Sequence, residues 1–140
     1  MQTPITKAVI ALAGHGTRFL PATKNTPKGM LPILDKPIIH YLIQELVDSG
    51  ITDVILVTQY GQGTMEDYLD NREDIEMALE KNGKDDYLKM LREIPKMVNV
   101  AVVRQKKHLP YGNGTPVLAA KSFIGKDENF VYMFGDDLTI

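Results

Sequence analysis

The sequence of 140 residues contains no cysteine. Disulfide bonds and catalysis by a thiolate are therefore excluded, and a reducing compartment is permitted but not required. Long apolar runs are also missing. The N-terminal stretch MQTPITKAVIALAG has too short an apolar run for a signal peptide or a membrane span. We therefore expect a cytoplasmic protein that has no membrane partner.

Acidic residues are missing from the first 34 positions, and the first carboxylate is Asp35. This segment carries four basic residues: Lys7, Arg18, Lys24 and Lys28. The remaining 106 residues hold 12 basic and 18 acidic side chains. The net charge of -2 gives no general attraction to nucleic acid. A basic segment on an otherwise acidic chain instead indicates a local site for an anion.

The order of apolar runs predicts one α/β domain. Buried strands are expected at 8–13, 53–58, 98–103 and 129–134. Helical patterns lie between them at 36–50, at 64–93 with an interruption near Asn82-Gly83, and at 115–123. This alternation predicts a mostly parallel, Rossmann-like sheet with helices on both faces.

Residues able to do chemistry follow three of the predicted strands. Gly14, Gly16 and Arg18 follow the first, Gln105 the third and Asp136 the fourth. Ligands of open α/β sheets bind at the carboxyl ends of the strands. The sequence therefore predicts that these residues gather on one rim.

The glycine loop matches neither of two common phosphate-binding motifs. Phe19 stands where a Rossmann fingerprint has its third glycine, and the Gly-Lys-Ser/Thr of a P-loop is absent. A glycine turn after a strand is often only structural. Here it leads directly to Arg18, whose guanidinium suits phosphate, and glycines let backbone N–H groups approach phosphate oxygens.

Lys28 lies between Pro27 and Pro32, which predict rigid, extended backbone. It is either an ordinary solvated lysine or a rigidly held anion ligand. Asp136 and Asp137 have two interpretations as well, as turn or cap residues or as ligands of Mg²⁺. Gln105 offers the donor and acceptor that a pyrimidine edge needs, although most glutamines have no such role.

Several segments resemble one family closely. AVIALAGHGTRFLPATKNTPKGMLPILDKPIIHYLIQELVDSGITDVILVT is similar to the N-terminal half of bacterial UTP–glucose-1-phosphate uridylyltransferases, which are sugar nucleotidyltransferases. The resemblance continues through RQ at 104–105, GNGTPVLAAKSFIG at 112–125 and FGDD at 134–137. It implies the nucleotide-diphospho-sugar transferase type of fold. It also implies transfer of UMP from UTP to glucose 1-phosphate, which gives UDP-glucose and pyrophosphate.

The resemblance also implies roles for individual residues. The expected catalytic residues, which act on phosphate groups, are Arg18 and Lys28. The expected metal ligand is Asp136, which would hold Mg²⁺. The expected contacts of the nucleotide are Leu12, Ala13, Gly14, Gly16 and Thr17, and those of the uracil are Gln105 and Gly114.

The sequence departs from the family in two loops and in length. Gln62 stands where the family usually has a lysine, which predicts a weaker phosphate contact. GNGTP stands where the family commonly has Gly-Leu-Gly-His-Ala, and one or two extra residues precede it. Family members are longer, and their second half supplies most of the sugar-phosphate site and a second metal carboxylate.

We therefore interpret residues 1–140 as the nucleotide-binding, N-terminal part of a truncated nucleotidyltransferase domain, without the C-terminal sugar-binding part. The expected partners are UTP, a sugar 1-phosphate and a second copy of the chain in a homo-oligomer. Two alternatives stay open: a UTP-binding module without catalysis of its own, and a nucleotidyltransferase for another sugar 1-phosphate.

Overall fold

The computed structural model of the chain describes residues 2–136. Its strands are β1 (Lys7–Ala11), β2 (Pro32–Ile33), β3 (Lys36–Pro37), β4 (Asp53–Thr58), β5 (Asn99–Arg104) and β6 (Val131–Phe134). Four of them form a parallel sheet in the order β5-β4-β1-β6. The predicted parallel sheet is confirmed, and each of its strands begins and ends within two residues of the predicted bounds.

The helices are α1 (Ile38–Asp48), α2 (Gly63–Tyr68), α3 (Glu73–Lys81), α4 (Asp85–Glu93) and α5 (Thr115–Ala120). The predicted interruption near Asn82-Gly83 separates α3 from α4. A second interruption, between α2 and α3, was not predicted. None of the helices within residues 2–136 combines the length and apolar character needed to cross a bilayer.

The alternation of side chains along β1 places apolar residues on both faces of the sheet. Ala8 and Ile10 contribute to a core against α1 and α2, whereas Val9 contributes to a smaller core against α5. All three side chains are fully buried. This explains the unbroken apolar run of the sequence, because a parallel strand covered on both faces has no solvent side.

Lys28 does not lie in extended backbone, so that prediction is wrong. Pro27 is extended, but Lys28 begins a 3₁₀ turn that continues to Met30. The chain then forms the antiparallel hairpin of β2 and β3, in which Leu34 has a positive φ of 59°. Proline restricts its own φ and the residue before it, so it does not prevent a turn from starting one residue later.

The chain order creates a switch point beside β1. The chain runs from β1 to its neighbour β4 and on to β5, and then returns to the opposite side of β1 as β6. The connection from β1 to β4 and the connection from β5 to β6 therefore lead to opposite sides of β1. Ligands of doubly wound sheets bind at such a point.

Candidate functional site

A cleft of about 680 Å³ opens at the carboxyl ends of the strands. It is lined by the loop after β1, by parts of the loops after β4 and β5, and by the end of β6. Of the residues predicted for a site, the structure brings into this lining Leu12, Ala13, Gly14, Gly16, Thr17, Arg18, Lys28, Gln105 and Asp136. Gly114 is not among the lining residues and instead precedes α5 as its N-cap.

The first residues of the loop after β1 are hydrogen-bonded to the neighbouring strand β4. The N–H groups of Leu12 and Ala13 both donate to the carbonyl of Val57, at 2.9 and 3.0 Å. Further along, Thr23 donates its hydroxyl to the carbonyl of Gly16 at 2.6 Å. Gly16 has a φ of 60°, and a Cβ there would lie 3.0 Å from Cγ2 of Thr23, so this position favours glycine.

Five successive backbone N–H groups of this loop, from Gly14 to Arg18, donate to no acceptor within residues 2–136. Unpaired N–H groups on a concave loop attract anions. Arg18 is exposed, lines the cleft, and forms no ion pair with any side chain that the structure describes. The loop and its arginine together can therefore bind a phosphate chain.

Lys28 and Asp136 form an ion pair at the cleft. Their side chains are 26% and 44% exposed, so both remain accessible to a ligand. The ammonium of Lys28 also lies 4.8 Å from the centre of the Phe19 ring, within the range of a cation–π contact. Arg18 and Lys28 therefore approach one cleft from two different turns.

The end of β5 brings the Gln105 side chain to the far side of the cleft. Its backbone N–H donates to the carbonyl of Thr58 at 2.8 Å and so continues the pairing of β5 with β4. Its side-chain oxygen Oε1 is buried and has no hydrogen-bond partner among the described residues. A buried acceptor without a donor is costly, and a ligand N–H would satisfy it.

The loop between β5 and α5 contributes Tyr111, Gly112 and Asn113 to the lining. The hydroxyl of Tyr132 donates to the carbonyl of Asn113 at 2.6 Å, and burial raises the pKa of Tyr132. This contact ties the loop to β6. Gly114, which the resemblance assigns to the uracil, follows Asn113 directly and precedes α5, and its role stays a prediction.

Gln62 is buried and makes hydrogen bonds that the sequence did not predict. It is 5% exposed and its amide nitrogen donates to the carbonyls of Leu12 and Gly14, at 2.9 and 3.1 Å. Its amide oxygen accepts from the N–H of Gln59 at 2.9 Å. The sequence signal was a glutamine in place of a basic residue. It did not reveal the role of Gln62, because the hydrogen bonds join Gln62 to residues that precede it by 50 and 48 positions.

The described residues include no group of three or more histidine, cysteine or acidic side chains that could hold a metal ion. Asp136 alone offers a carboxylate at the cleft, and Asp137 lies outside the described residues. Mg²⁺ commonly keeps several waters and takes one or two protein carboxylates together with phosphate oxygens. A site with one carboxylate beside a phosphate-binding loop fits that donor set.

The histidine of α1, His40, contacts a tyrosine of α2. His40 Nδ1 lies 2.8 Å from the hydroxyl of Tyr68, which joins α1 to α2. Burial lowers the pKa of His40 and Lys36 lowers it further, whereas Asp35 opposes the shift. His40 lies outside the lining of the cleft, so its contact with Tyr68 serves the packing of α1 against α2.

Residues 7–140 match the family model described as nucleotidyl transferase. The chain belongs to the nucleotidyl transferase family. It is 44% identical over its whole length to a UTP–glucose-1-phosphate uridylyltransferase of Bacillus subtilis and covers 46% of that protein. It is 46% identical over 134 residues to UTP–glucose-1-phosphate uridylyltransferase 2 of Staphylococcus saprophyticus, of which it covers 45%. The chain thus spans about half the length of the curated relatives it matches.

The solved structures that resemble this chain indicate the same family. UDP-glucose pyrophosphorylase from Acinetobacter baumannii superposes with a TM-score of 0.88 at 42% identity, over 94% of this chain and 46% of that one. A UTP-bound structure from the same organism has a TM-score of 0.84 at 41% identity, with the same coverage. The chain corresponds to the N-terminal half of such proteins, as its sequence predicts.

Proposed function

We propose that this chain supplies the nucleotide-binding half of a UTP–glucose-1-phosphate uridylyltransferase. The observation that carries the proposal is the loop from Gly14 to Arg18, which lines a cleft beside Lys28 and whose N–H groups find no acceptor among residues 2–136. Such a loop suits the triphosphate of a nucleotide. The uridylyltransferase relatives and the UTP-bound neighbour support UTP as that nucleotide.

The proposed reaction is a direct displacement at phosphorus. A phosphate oxygen of glucose 1-phosphate forms a bond to the α-phosphorus of UTP, and the bond from that phosphorus to the bridging oxygen breaks. Pyrophosphate leaves with the electron pair, and UDP-glucose remains. The reaction needs no protein nucleophile, so the chain acts by positioning the phosphates and by stabilising their charge.

Arg18 and Lys28 would stabilise the negative charge that develops on the leaving pyrophosphate. Arg18 can do so at once, because no described carboxylate engages it. Lys28 must first exchange Asp136 for a phosphate oxygen. This exchange requires little energy, since an ion pair whose side chains are one quarter to one half exposed contributes little to stability.

Asp136 is the residue that would hold Mg²⁺. When bound, the ion would neutralise part of the charge on the triphosphate. Binding of the ion to Asp136 would also release Lys28 toward the phosphates. The two residues would therefore change partners together when UTP and Mg²⁺ enter.

Gln105 would read the uracil. Its buried Oε1 has no described donor, and the N3–H of uracil is a donor that would satisfy it. Glucose 1-phosphate as the acceptor rests on the relatives alone. The cytoplasmic location and the homo-oligomer expected from the sequence stay predictions within this proposal.

One alternative is favoured by a specific observation. Because the chain covers 46% of its Bacillus relative, the 140 residues fit a UTP-binding module that needs further chain for turnover. The experiment separates binding from catalysis. Calorimetry with UTP and Mg²⁺ measures binding, and mass spectrometry after addition of glucose 1-phosphate detects UDP-glucose. We expect UTP to bind and turnover to be low or absent, whereas failure to bind UTP would overturn both versions of the proposal.

A further inference from the structure

The side chain of Gln62 uses its hydrogen-bonding groups to hold one loop. Its amide nitrogen has two N–H bonds, which donate to the carbonyls of Leu12 and Gly14. Its amide oxygen accepts from the N–H of Gln59, so the side chain itself is fixed. At 5% exposure it is one of the few buried polar residues of the described chain.

These contacts constrain the direction of the neighbouring peptide groups. A trans peptide is planar, and its C=O and N–H point in opposite directions. Because the Gly14 carbonyl points at Gln62, the N–H of His15 must point away from it. Leu12 is held from both sides, since its N–H donates to Val57 and its carbonyl accepts from Gln62.

Without Gln62 the two carbonyls would lose these donors. Glycine at positions 14 and 16 leaves the backbone free to rotate, so the loop has alternative conformations available to it. Some of these would turn carbonyl oxygens toward the cleft, where they would repel phosphate. A fixed loop avoids this ordering cost when an anion binds.

We propose that Gln62 is a positioning residue for phosphate binding: by holding the carbonyls of Leu12 and Gly14, it presents the loop N–H groups from Gly14 to Arg18 to the triphosphate. This inference rests on the proposed function and deepens it. It also changes the meaning of a glutamine at this position. The side chain supports phosphate binding through the loop it holds, while the site has one positive charge fewer than a lysine would give it.

The test compares Gln62→Met with the wild-type chain. Methionine has a similar length and no charge but offers no N–H donors to the two carbonyls. The matched control is Gln44→Met, because Gln44 is an exposed glutamine of α1 that bonds Asp48 within its own helix. UTP and inorganic triphosphate affinities are measured by calorimetry, the amides of His15 and Gly16 by ¹⁵N NMR, and unfolding by thermal melting.

We expect Gln62→Met to weaken binding of both ligands about 10- to 100-fold, as the loss of an orienting contact does at other sites. The amides of His15 and Gly16 should broaden or split before ligand is added, and Gln44→Met should match the wild type. A purely structural role would lower the melting temperature but leave these amides and the affinities unchanged at temperatures where both proteins are folded. If Gln62→Met fails to fold, Gln62→Asn serves instead, because its amide is one methylene too short to reach both carbonyls.

Unchanged affinity in a folded variant, with wild-type protein that binds UTP, would overturn the inference and leave the proposed function standing. If the wild-type chain binds neither UTP nor inorganic triphosphate, the proposed function fails. In that case Gln62 supports a loop that has no phosphate ligand, and the inference fails with it. The two failures are thus distinguished by the wild-type titration alone.

Discussion

Lys28 pairs with Asp136 although 108 positions of sequence separate them. Lys28 begins a turn after Pro27, and Asp136 follows β6 at the end of the described chain. The sheet brings them together because β6 lies directly beside β1, whose following loop leads into that turn. The predicted phosphate ligand and the predicted metal ligand are therefore partners in the structure.

Replacement of Lys28 by methionine should weaken UTP binding by about tenfold or more, because one positive charge that faces the triphosphate is lost. Stability should change by less than about 1 kcal/mol, since the ion pair is partly exposed. Lys24→Met is the matched control, because Lys24 is an exposed lysine of the same basic segment and does not line the cleft. Calorimetry and thermal melting decide the matter, and equal losses of affinity in the two variants would contradict a specific role for Lys28.

Arg18→Ala should reduce UTP affinity strongly and leave folding almost unchanged. Arg18 is exposed and has no described ion pair, so its removal should alter the free energy of unfolding by about 0.5 kcal/mol or less. The control is Arg104→Ala, at an exposed arginine that ends β5 and lies outside the cleft lining. A large fall in melting temperature with normal UTP affinity would support a structural role for Arg18 instead.

Gln105→Met should separate base recognition from stability. The side-chain oxygen is buried and unpaired among the described residues, so its removal should not destabilise the chain and can even stabilise it. UTP binding should weaken by roughly 1–3 kcal/mol, because the hydrogen bond to the uracil is lost. Titrations of both proteins with UTP and ATP check this. If the wild-type chain binds ATP as tightly as UTP, Gln105 does not read the base.

The sheet and its site were predictable to different extents. The apolar runs of β1 and β4 predicted their place in a parallel sheet, because burial on both faces leaves a clear composition signal. The position of Asp136 followed from the end of β6. The 3₁₀ turn at Lys28 and the contacts of Gln62 were not predictable in this way, since each depends on the geometry of a single short loop.

The loop before α5 shows the same limit. The resemblance implies that Gly114 contacts the uracil, and this role stays a prediction; in the structure the neighbouring Gly112 and Asn113 line the cleft. The carbonyl of Asn113 accepts a hydrogen bond from the hydroxyl of Tyr132 in β6. Such a contact joins different elements, and sequence spacing carries no information about it.

Asp136→Asn should alter the dependence of UTP binding on Mg²⁺. The amide cannot supply the charge of a carboxylate, so more Mg²⁺ should be needed to reach half of the maximal affinity, by about tenfold or more. Binding of UTP without Mg²⁺ should be preserved or improved, because Lys28 loses its partner and becomes available to phosphate. Asp137→Asn is the comparison variant, at a residue outside the described part. If only Asp137→Asn changes the Mg²⁺ requirement, Asp136 is not the metal ligand.

Gly135→Ala should disrupt the contact between β6 and the loop after β1. The N–H of Gly135 donates to the carbonyl of Ala11 at 2.9 Å, and a Cβ at this position would lie 3.0 Å from that carbonyl oxygen. It would also overlap Cδ2 of Leu12. The Leu12 side chain can move, but the backbone carbonyl cannot move without loss of the strand pairing. We expect a loss of about 1–3 kcal/mol in the free energy of unfolding, which is typical of overpacking.

The matched control for this position is Gly63→Ala. Gly63 begins α2, and a Cβ there would meet no heavy atom within 4 Å. Alanine favours helix over glycine by up to about 1 kcal/mol, so the control should be neutral or slightly stabilising. The stability of the two variants is compared by urea unfolding. We also expect Gly135→Ala to bind UTP more weakly in a titration, because the displaced Leu12 lines the cleft. An unfolding midpoint for Gly135→Ala equal to that of the wild type would contradict the prediction. It would mean that the Ala11 carbonyl can move away from a Cβ at position 135 without loss of stability.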